Sequence, residues 1–121
     1  MAQVLVADDS AFVRLYLARL IEGQGHVAIL AEDGAEAVRQ YEIKRPELVL
    51  MDLAMPNMDG FTAVRQILMQ DPDATIVAVT AMNHDGAVQE ALRAGVRHVL
   101  TKPLEEAAVL ETLHRFLPAG R

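Results

Sequence analysis

No cysteine occurs among the 121 residues, which removes disulfides, thiol nucleophiles and thiolate metal sites together and is compatible with a reducing compartment. No run of lysine or arginine occurs either, and the formal net charge is -6. Without clustered cations to neutralise phosphates, nucleic acid is not expected as a direct partner. No apolar stretch approaches the roughly 20 residues that span a bilayer, and MAQVLVADDS has neither a basic leader region nor a cleavage site. The expectation is a soluble cytoplasmic chain with no membrane contact. Linkers, low-complexity tracts and internal repeats are absent too. What is present is apolar: 52% of the residues are hydrophobic, in a length that fits one core and leaves no room for a second domain. Residues 1–121 are therefore read as one domain, and Met1 with the ending RFLPAGR leads us to expect a complete chain.

One pattern recurs five times: a short, β-branched apolar run followed by a longer segment of helical period. The strand candidates are QVLVAD (3–8), HVAILA (26–31), ELVLMD (47–52), TIVAVT (75–80) and HVLT (98–101). Between them, Asp33, Asp59 and Asp85 stand as N-caps before glycine-led helices, and Gly95 as a C-terminal stop. Strand then helix, five times over, means an α/β fold. Continuous rather than alternating apolar strands indicate a parallel sheet covered on both faces.

Ligands of open parallel sheets bind beyond the carboxyl ends of the strands. The first strand ends in Asp8 and Asp9, the third in Asp52, the fourth in Thr80, and the fifth leads into Lys102 and Pro103. Any one of these read singly is a turn residue, a cap or a solvated charge. Read jointly, three carboxylates, a hydroxyl and an ammonium share one edge of the sheet. Carboxylates brought close resist joint ionisation unless a cation joins them, and an all-oxygen set suits Mg²⁺.

VADDS, LVLMDLAMPNMDG, VAVTAM and LTKP together resemble the response-regulator receiver domains, and in particular the single-domain chemotaxis type. The resemblance covers essentially the whole chain. It implies a five-stranded sheet in order 2-1-3-4-5 flanked by five helices, a flavodoxin-like arrangement. It implies an aspartyl phosphate on Asp52, formed from a phosphohistidine of a histidine kinase or histidine phosphotransfer protein. Mg²⁺ would be held by Asp9, Asp52 and the backbone carbonyl of Ala54, with Asp8 supporting through water. Thr80 would hydrogen-bond the phosphoryl group and Lys102 would ion-pair with it. Ala81 and Val99 belong with them in the phosphoryl-binding and switch region, and Pro103 would carry a cis bond. Such a protein is a phosphoacceptor rather than an enzyme, a monomer whose dimerisation, where it occurs, follows phosphorylation, and its output partner is unnamed by the sequence.

Three residues before the lysine the family commonly has tyrosine or phenylalanine; here the residue is Val99, which has no ring to turn inward and puts the usual readout in question. The residues two after the acceptor and two after the hydroxyl, Ala54 and Met82, flank the path of a hydrolytic water and are both apolar. On the first helix Val13, Tyr16, Leu17, Leu20 and Ile21 fall in one arc of about 140°, a core face. Phe12 and Leu15 lie outside it and are read as a docking surface for kinase or phosphotransfer helices. Val109, Leu110, Leu113, Phe116 and Leu117 form the core stripe of the last helix. His98 is read as solvated at a strand end, and His26, His84 and His114 as surface residues. Two rival classes fit less well. An Mg²⁺-dependent phosphotransferase or phosphatase commonly has a second aspartate where Ala54 stands, and no phosphate-binding glycine loop marks a nucleotide site. A receiver belonging to a larger regulator, or a phosphorelay intermediate, is the nearer alternative.

Overall fold

The computed structural model describes residues 1–55, 57–81 and 85–118. Strands and helices alternate along the chain as β1 (Gln3–Ala7), α1 (Ala11–Gly23), β2 (Val27–Ala31), α2 (Gly34–Lys44), β3 (Leu48–Asp52), α3 (Gly60–Gln70), β4 (Ile76–Thr80), α4 (Asp85–Ala94), β5 (His98–Thr101) and α5 (Glu106–Phe116). The sheet is parallel throughout, in the order β2-β1-β3-β4-β5. Each predicted strand is present, with ends moved by no more than one residue.

Successive strand side chains point to opposite faces, and here both faces are dry. Leu5, Val49, Met51, Ile76 and Ala78 pack against Tyr41, Val64, Ile67 and Ala91 on one side. Val4, Val6, Leu50, Val77 and Val79 pack against Leu17, Ile21, Val109 and Leu113 on the other. That two-sided burial is why the central strands read as unbroken apolar runs. The edge strand β2 alternates less cleanly and leaves Val27 and Leu30 exposed.

Local signals set the helix ends. Ser10, Asp33 and Asp59 cap α1, α2 and α3, each accepting from the backbone N–H three residues on, at 3.3, 2.8 and 2.8 Å. Asp85 corrects the expectation made for it: α4 begins at Asp85 itself rather than at the residue after it. Gly95 closes α4 at φ +115°. The Val96 N–H reaches back to the Ala91 carbonyl at 3.3 Å, a six-to-one closure that needs the left-handed residue between.

On α1, Leu17 and Ile21 are buried with Val13, Tyr16 and Leu20 packed beside them, while Phe12 and Leu15 are exposed. Two histidines depart from the surface reading. His26 is half-buried and its Nδ1 accepts from the Ala2 N–H at 3.0 Å, because the turn after α1 brings it over the start of β1. His98 is half-buried, its ring centroid 6.2 Å from that of Phe116, because α5 lies against the edge strand. His114 is exposed, with Nε2 at 3.1 Å from Gln24 Oε1; His84 lies outside the described residues. Among the described residues no helix is long and apolar enough to cross a membrane.

Candidate functional site

Parallel strands deliver their last residues to one edge, and at that edge the predicted acids meet. Asp8 follows β1 directly and is buried. Its N–H donates to the Ala31 carbonyl at 3.1 Å, and its Oδ1 accepts from the Ser10 N–H at 2.9 Å. Asp52 ends β3, is 3% exposed, and accepts on Oδ1 from the Ala54 N–H at 3.1 Å. Asp9 is exposed. One carboxylate oxygen from each of Asp8, Asp9 and Asp52 lies within 4.8 Å of the others.

Lys102 enters from the far side. The β4–β5 register sets Thr80 opposite Thr101, and the Lys102 N–H donates to the Thr80 carbonyl at 2.8 Å, aiming the side chain across the strand ends. Its Nζ stands 3.0 Å from Asp8 Oδ2 and 3.6 Å from Asp52 Oδ2. Burial disfavours the ammonium, but its close polar contact with Asp8 and the charges of Asp52 and Asp8 outweigh it, and the lysine pKa is held above its ordinary value. For Asp52 burial is the largest influence. The Ala54 N–H and Lys102 pull its pKa down, Asp8 and Asp9 push it up, and the result is about 6 in place of 3.8.

The residues fit a hard divalent cation. Three carboxylates face one ammonium, leaving negative charge uncompensated. Asp8 Oδ2 is buried and, despite the nearby Lys102, accepts no hydrogen bond of good geometry. Asp9 has no hydrogen bond or ion pair to its carboxylate among the described residues. An all-oxygen donor set with an open, unpaired acid on its solvent side is what Mg²⁺ takes.

The other sequence-predicted residues fall around this centre. Thr80 ends β4, is buried, and stands one step beyond Val79, the residue paired with Asp52. Ala81 follows it and is exposed, as is Ala54. The Lys102–Pro103 bond is cis. Val99, opposite Ala78, is half-buried and packs on the core beneath α3 and α4. Phe12 shares with Val13, Tyr16, Lys102, Pro103 and Leu104 a cleft of about 400 Å³ that opens beside the site. Leu15 lines a smaller neighbour of about 180 Å³ with Tyr16 and Arg19. Met82 lies outside the described residues. Sequence reasoning missed Ser10, although a serine three residues ahead of an apolar helical stripe is a cap signal. It also missed Arg14, whose Nη1 donates to the Asp8 carbonyl at 2.7 Å.

The profile of the response regulator receiver domain matches residues 4–114. The chain is 37% identical over 116 residues to the chemotaxis protein CheY of Bacillus subtilis, covering 95% of this chain and 97% of that protein. It is 39% identical over 114 residues to the chemotaxis protein CheY of Thermotoga maritima, covering 93% and 95%. Among solved structures, the CheX-CheY-BeF3-Mg²⁺ complex from Borrelia burgdorferi contains a chain that superposes with a TM-score of 0.91 at 31% identity, covering 97% of this chain and 90% of that one. A fold, a site and a sequence that agree along nearly the whole length place this chain in the response regulator receiver domain family, whose members are phosphoacceptor regulatory proteins.

Proposed function

We propose that this protein is a cytoplasmic two-component signalling switch that takes a phosphoryl group onto Asp52 from a histidine kinase or histidine phosphotransfer protein. The observation that carries the reading is the convergence of Asp8, Asp9, Asp52 and Lys102 at the strand ends. In the transfer, an Asp52 oxygen attacks phosphorus, the nitrogen–phosphorus bond of the phosphohistidine breaks, and the imidazole leaves. A carboxylate is a weak nucleophile toward an anion, so the site's work is to hold it in line and offset charge. The Ala54 N–H fixes Oδ1 and leaves Oδ2 turned toward Lys102. Lys102 then follows the charge from the carboxylate to the phosphoryl oxygens. Asp9 and Asp52, with the Ala54 carbonyl and with Asp8 through water, would hold Mg²⁺, which when bound supplies further positive charge to those oxygens. Thr80 and Ala81 stand at the end of β4, where a group carrying about 1.5 to 2 negative charges would draw the hydroxyl and move the following loop.

The partner side of the switch is read from the surface. Phe12 and Leu15 are exposed at 78% and 58%, and Phe12 rims the cleft that Lys102 and Pro103 also line. An amphipathic helix laid there would bring its phosphohistidine to the site. The output is chemotaxis-like, as in the relatives named CheY, carried by a monomer; Val99 in place of a ring leaves phosphorylation of Asp52 intact and removes the ring-based readout on the face formed by α4, β5 and α5.

Acetyl phosphate with Mg²⁺ is expected to add one phosphoryl group to the intact mass, and none in EDTA; equal labelling in both would overturn the reading. Asp9→Ala is expected to abolish Mg²⁺ binding while the metal-free melting temperature holds or rises, since an exposed acid is removed from a crowded cluster. Calorimetric titration beside a thermal melt checks both halves. Lys102→Ala is expected to slow phosphorylation on the order of tenfold and to shrink the set of amide resonances moved by beryllofluoride. A response as extensive as the parent's would remove Lys102 from the coupling.

A further inference from the structure

The loop between β1 and α1 is only Asp8, Asp9 and Ser10, and its three residues are held very unequally. Asp8 is fixed at the amide, at Oδ1 and at the carbonyl oxygen. Ser10 is fixed by its capping bond and by its N–H to Asp8. Asp9 has no side-chain partner among the described residues. A ligand acid that must stay free for a cation can be oriented only through its backbone, and the group that reaches that backbone is Arg14. From one turn inside α1 its Nη1 donates to the Asp8 carbonyl at 2.7 Å. That oxygen belongs to the same peptide plane as the Asp9 N–H and Cα, so holding it fixes the plane from which the Asp9 side chain departs.

The Arg14 side chain is 14% exposed, and its Nη2 lies 3.9 Å from Glu32 Oε2 on the β2–α2 loop. Glu32 is itself held, its N–H donating to Glu36 Oε1 at 2.7 Å. The guanidinium is thus a planar fork between two loops, with one prong on a carbonyl and one toward an acid outside the cluster. It differs from Lys102 in the point that matters. Lys102 pairs with two of the cluster's carboxylates, whereas Arg14 brings a cation close without occupying a ligand oxygen.

We infer that Arg14 is a positioning residue for the divalent-cation site, acting through the Asp8–Asp9 peptide to present the Asp9 carboxylate. The inference rests on the Mg²⁺ reading given above. Groups that orient metal ligands from behind typically change affinity by roughly 10–100-fold when removed, and a bond to the peptide rather than to the ligand atom belongs at the lower end. Arg14→Gln is therefore expected to weaken Mg²⁺ binding by roughly tenfold, measured by calorimetric titration well below the melting temperature. The amide resonances of Asp9 and Ser10 should shift in the metal-free protein. Arg14→Lys should recover part of the affinity, since an ammonium still donates to the carbonyl. Glu32→Gln should bind as the parent does, because it leaves the Asp8 bond in place. A purely structural arginine would lower the melting temperature and leave the affinity of the folded protein unchanged. Parental affinity in Arg14→Gln, with binding lost in Asp9→Ala, would overturn the proposal and leave the metal reading standing. A parent that binds no Mg²⁺ would overturn both. If Arg14→Gln does not fold, the titration of Arg14→Lys decides, and parental affinity together with unshifted Asp9 and Ser10 amides counts against the role.

Discussion

Replacing Asp52 by asparagine is expected to abolish phosphorylation completely and, at neutral pH without metal, to make the protein more stable. The first result follows from position. Asp52 is the acid at the end of a central strand, with one oxygen tied to the Ala54 N–H and the other 3.6 Å from the Lys102 ammonium. Asp8 has both oxygens engaged, Oδ1 by the Ser10 N–H and Oδ2 by the Lys102 ammonium at 3.0 Å, and Asp9 faces solvent with no ion pair to Lys102 among the described residues. Intact mass after acetyl phosphate and Mg²⁺ should show one phosphoryl group on the parent and none on the variant; undiminished labelling would move the acceptor elsewhere. The second result follows from the raised pKa. Burial above all, with the Asp8 and Asp9 charges, lifts Asp52 from 3.8 to about 6. A carboxyl whose folded pKa exceeds its unfolded value contributes stability that is fully present below the unfolded pKa and is lost as pH rises through the folded one. In EDTA the parent should therefore lose stability between about pH 4 and pH 6 through this group, and Asp52→Asn should lose less across the same window. Above it the variant should exceed the parent by about 1–2 kcal/mol, the full conversion of the shift being reduced by solvent screening at the open edge of the site. Denaturant melts at pH 4.5 and pH 7.5 test the sign, and a variant less stable than the parent at the higher pH would contradict it.

Much of this site was legible before any coordinates, for a topological reason. A parallel sheet sends every strand's last residue to the same edge, so Asp8, Asp52, Thr80 and Lys102, each after an apolar run, had to become neighbours. The same logic made Phe12 and Leu15 stand out, since a helix of known period can bury only one arc. What escaped depends on contacts whose second partner carries no sequence signature. Arg14 acts on a backbone carbonyl, and every residue has one. His26 accepts from the Ala2 N–H, again a backbone group, and His98 meets Phe116 only because α5 folds back over the edge strand. Asp85 shows a different limit: the start of a helix reads from the sequence only to within a residue, and α4 begins at Asp85 itself.

Gly60 is the position where the sequence signal was clear and its meaning was not. As the residue after the cap Asp59 it reads as the opening of a helix, and a glycine there suggests backbone freedom. Gly60 needs none, for it stands at the start of α3 and is not among the residues of positive φ. What it provides is room. A Cβ built at Gly60 would lie 2.2 Å from the Asp52 carbonyl oxygen, 2.5 Å from Leu53 Cα and 2.9 Å from the Asp52 carbonyl carbon. All three are backbone atoms, so no rotamer change relieves the clash, and either α3 or the end of β3 must retreat by more than about 1 Å to restore ordinary contact. The Gly60 N–H also donates to the Leu53 carbonyl at 3.2 Å, which ties the start of α3 to the residue that follows Asp52. Gly60→Ala is accordingly expected to destabilise the fold by roughly 2–4 kcal/mol. In the folded fraction, a displacement of this size at Asp52 should slow phosphorylation by roughly a hundredfold, because in-line attack is sensitive to placement at the scale of one ångström. The control is Gly23→Ala at the end of α1, where an added Cβ meets nothing within 4 Å; relief of glycine's backbone entropy should leave it neutral or stabilised by up to about 1 kcal/mol. Urea melts and the acetyl phosphate time course on both variants separate the two glycines, and a Gly60→Ala protein that melts and labels like the parent would show that α3 does not need this approach to hold Asp52.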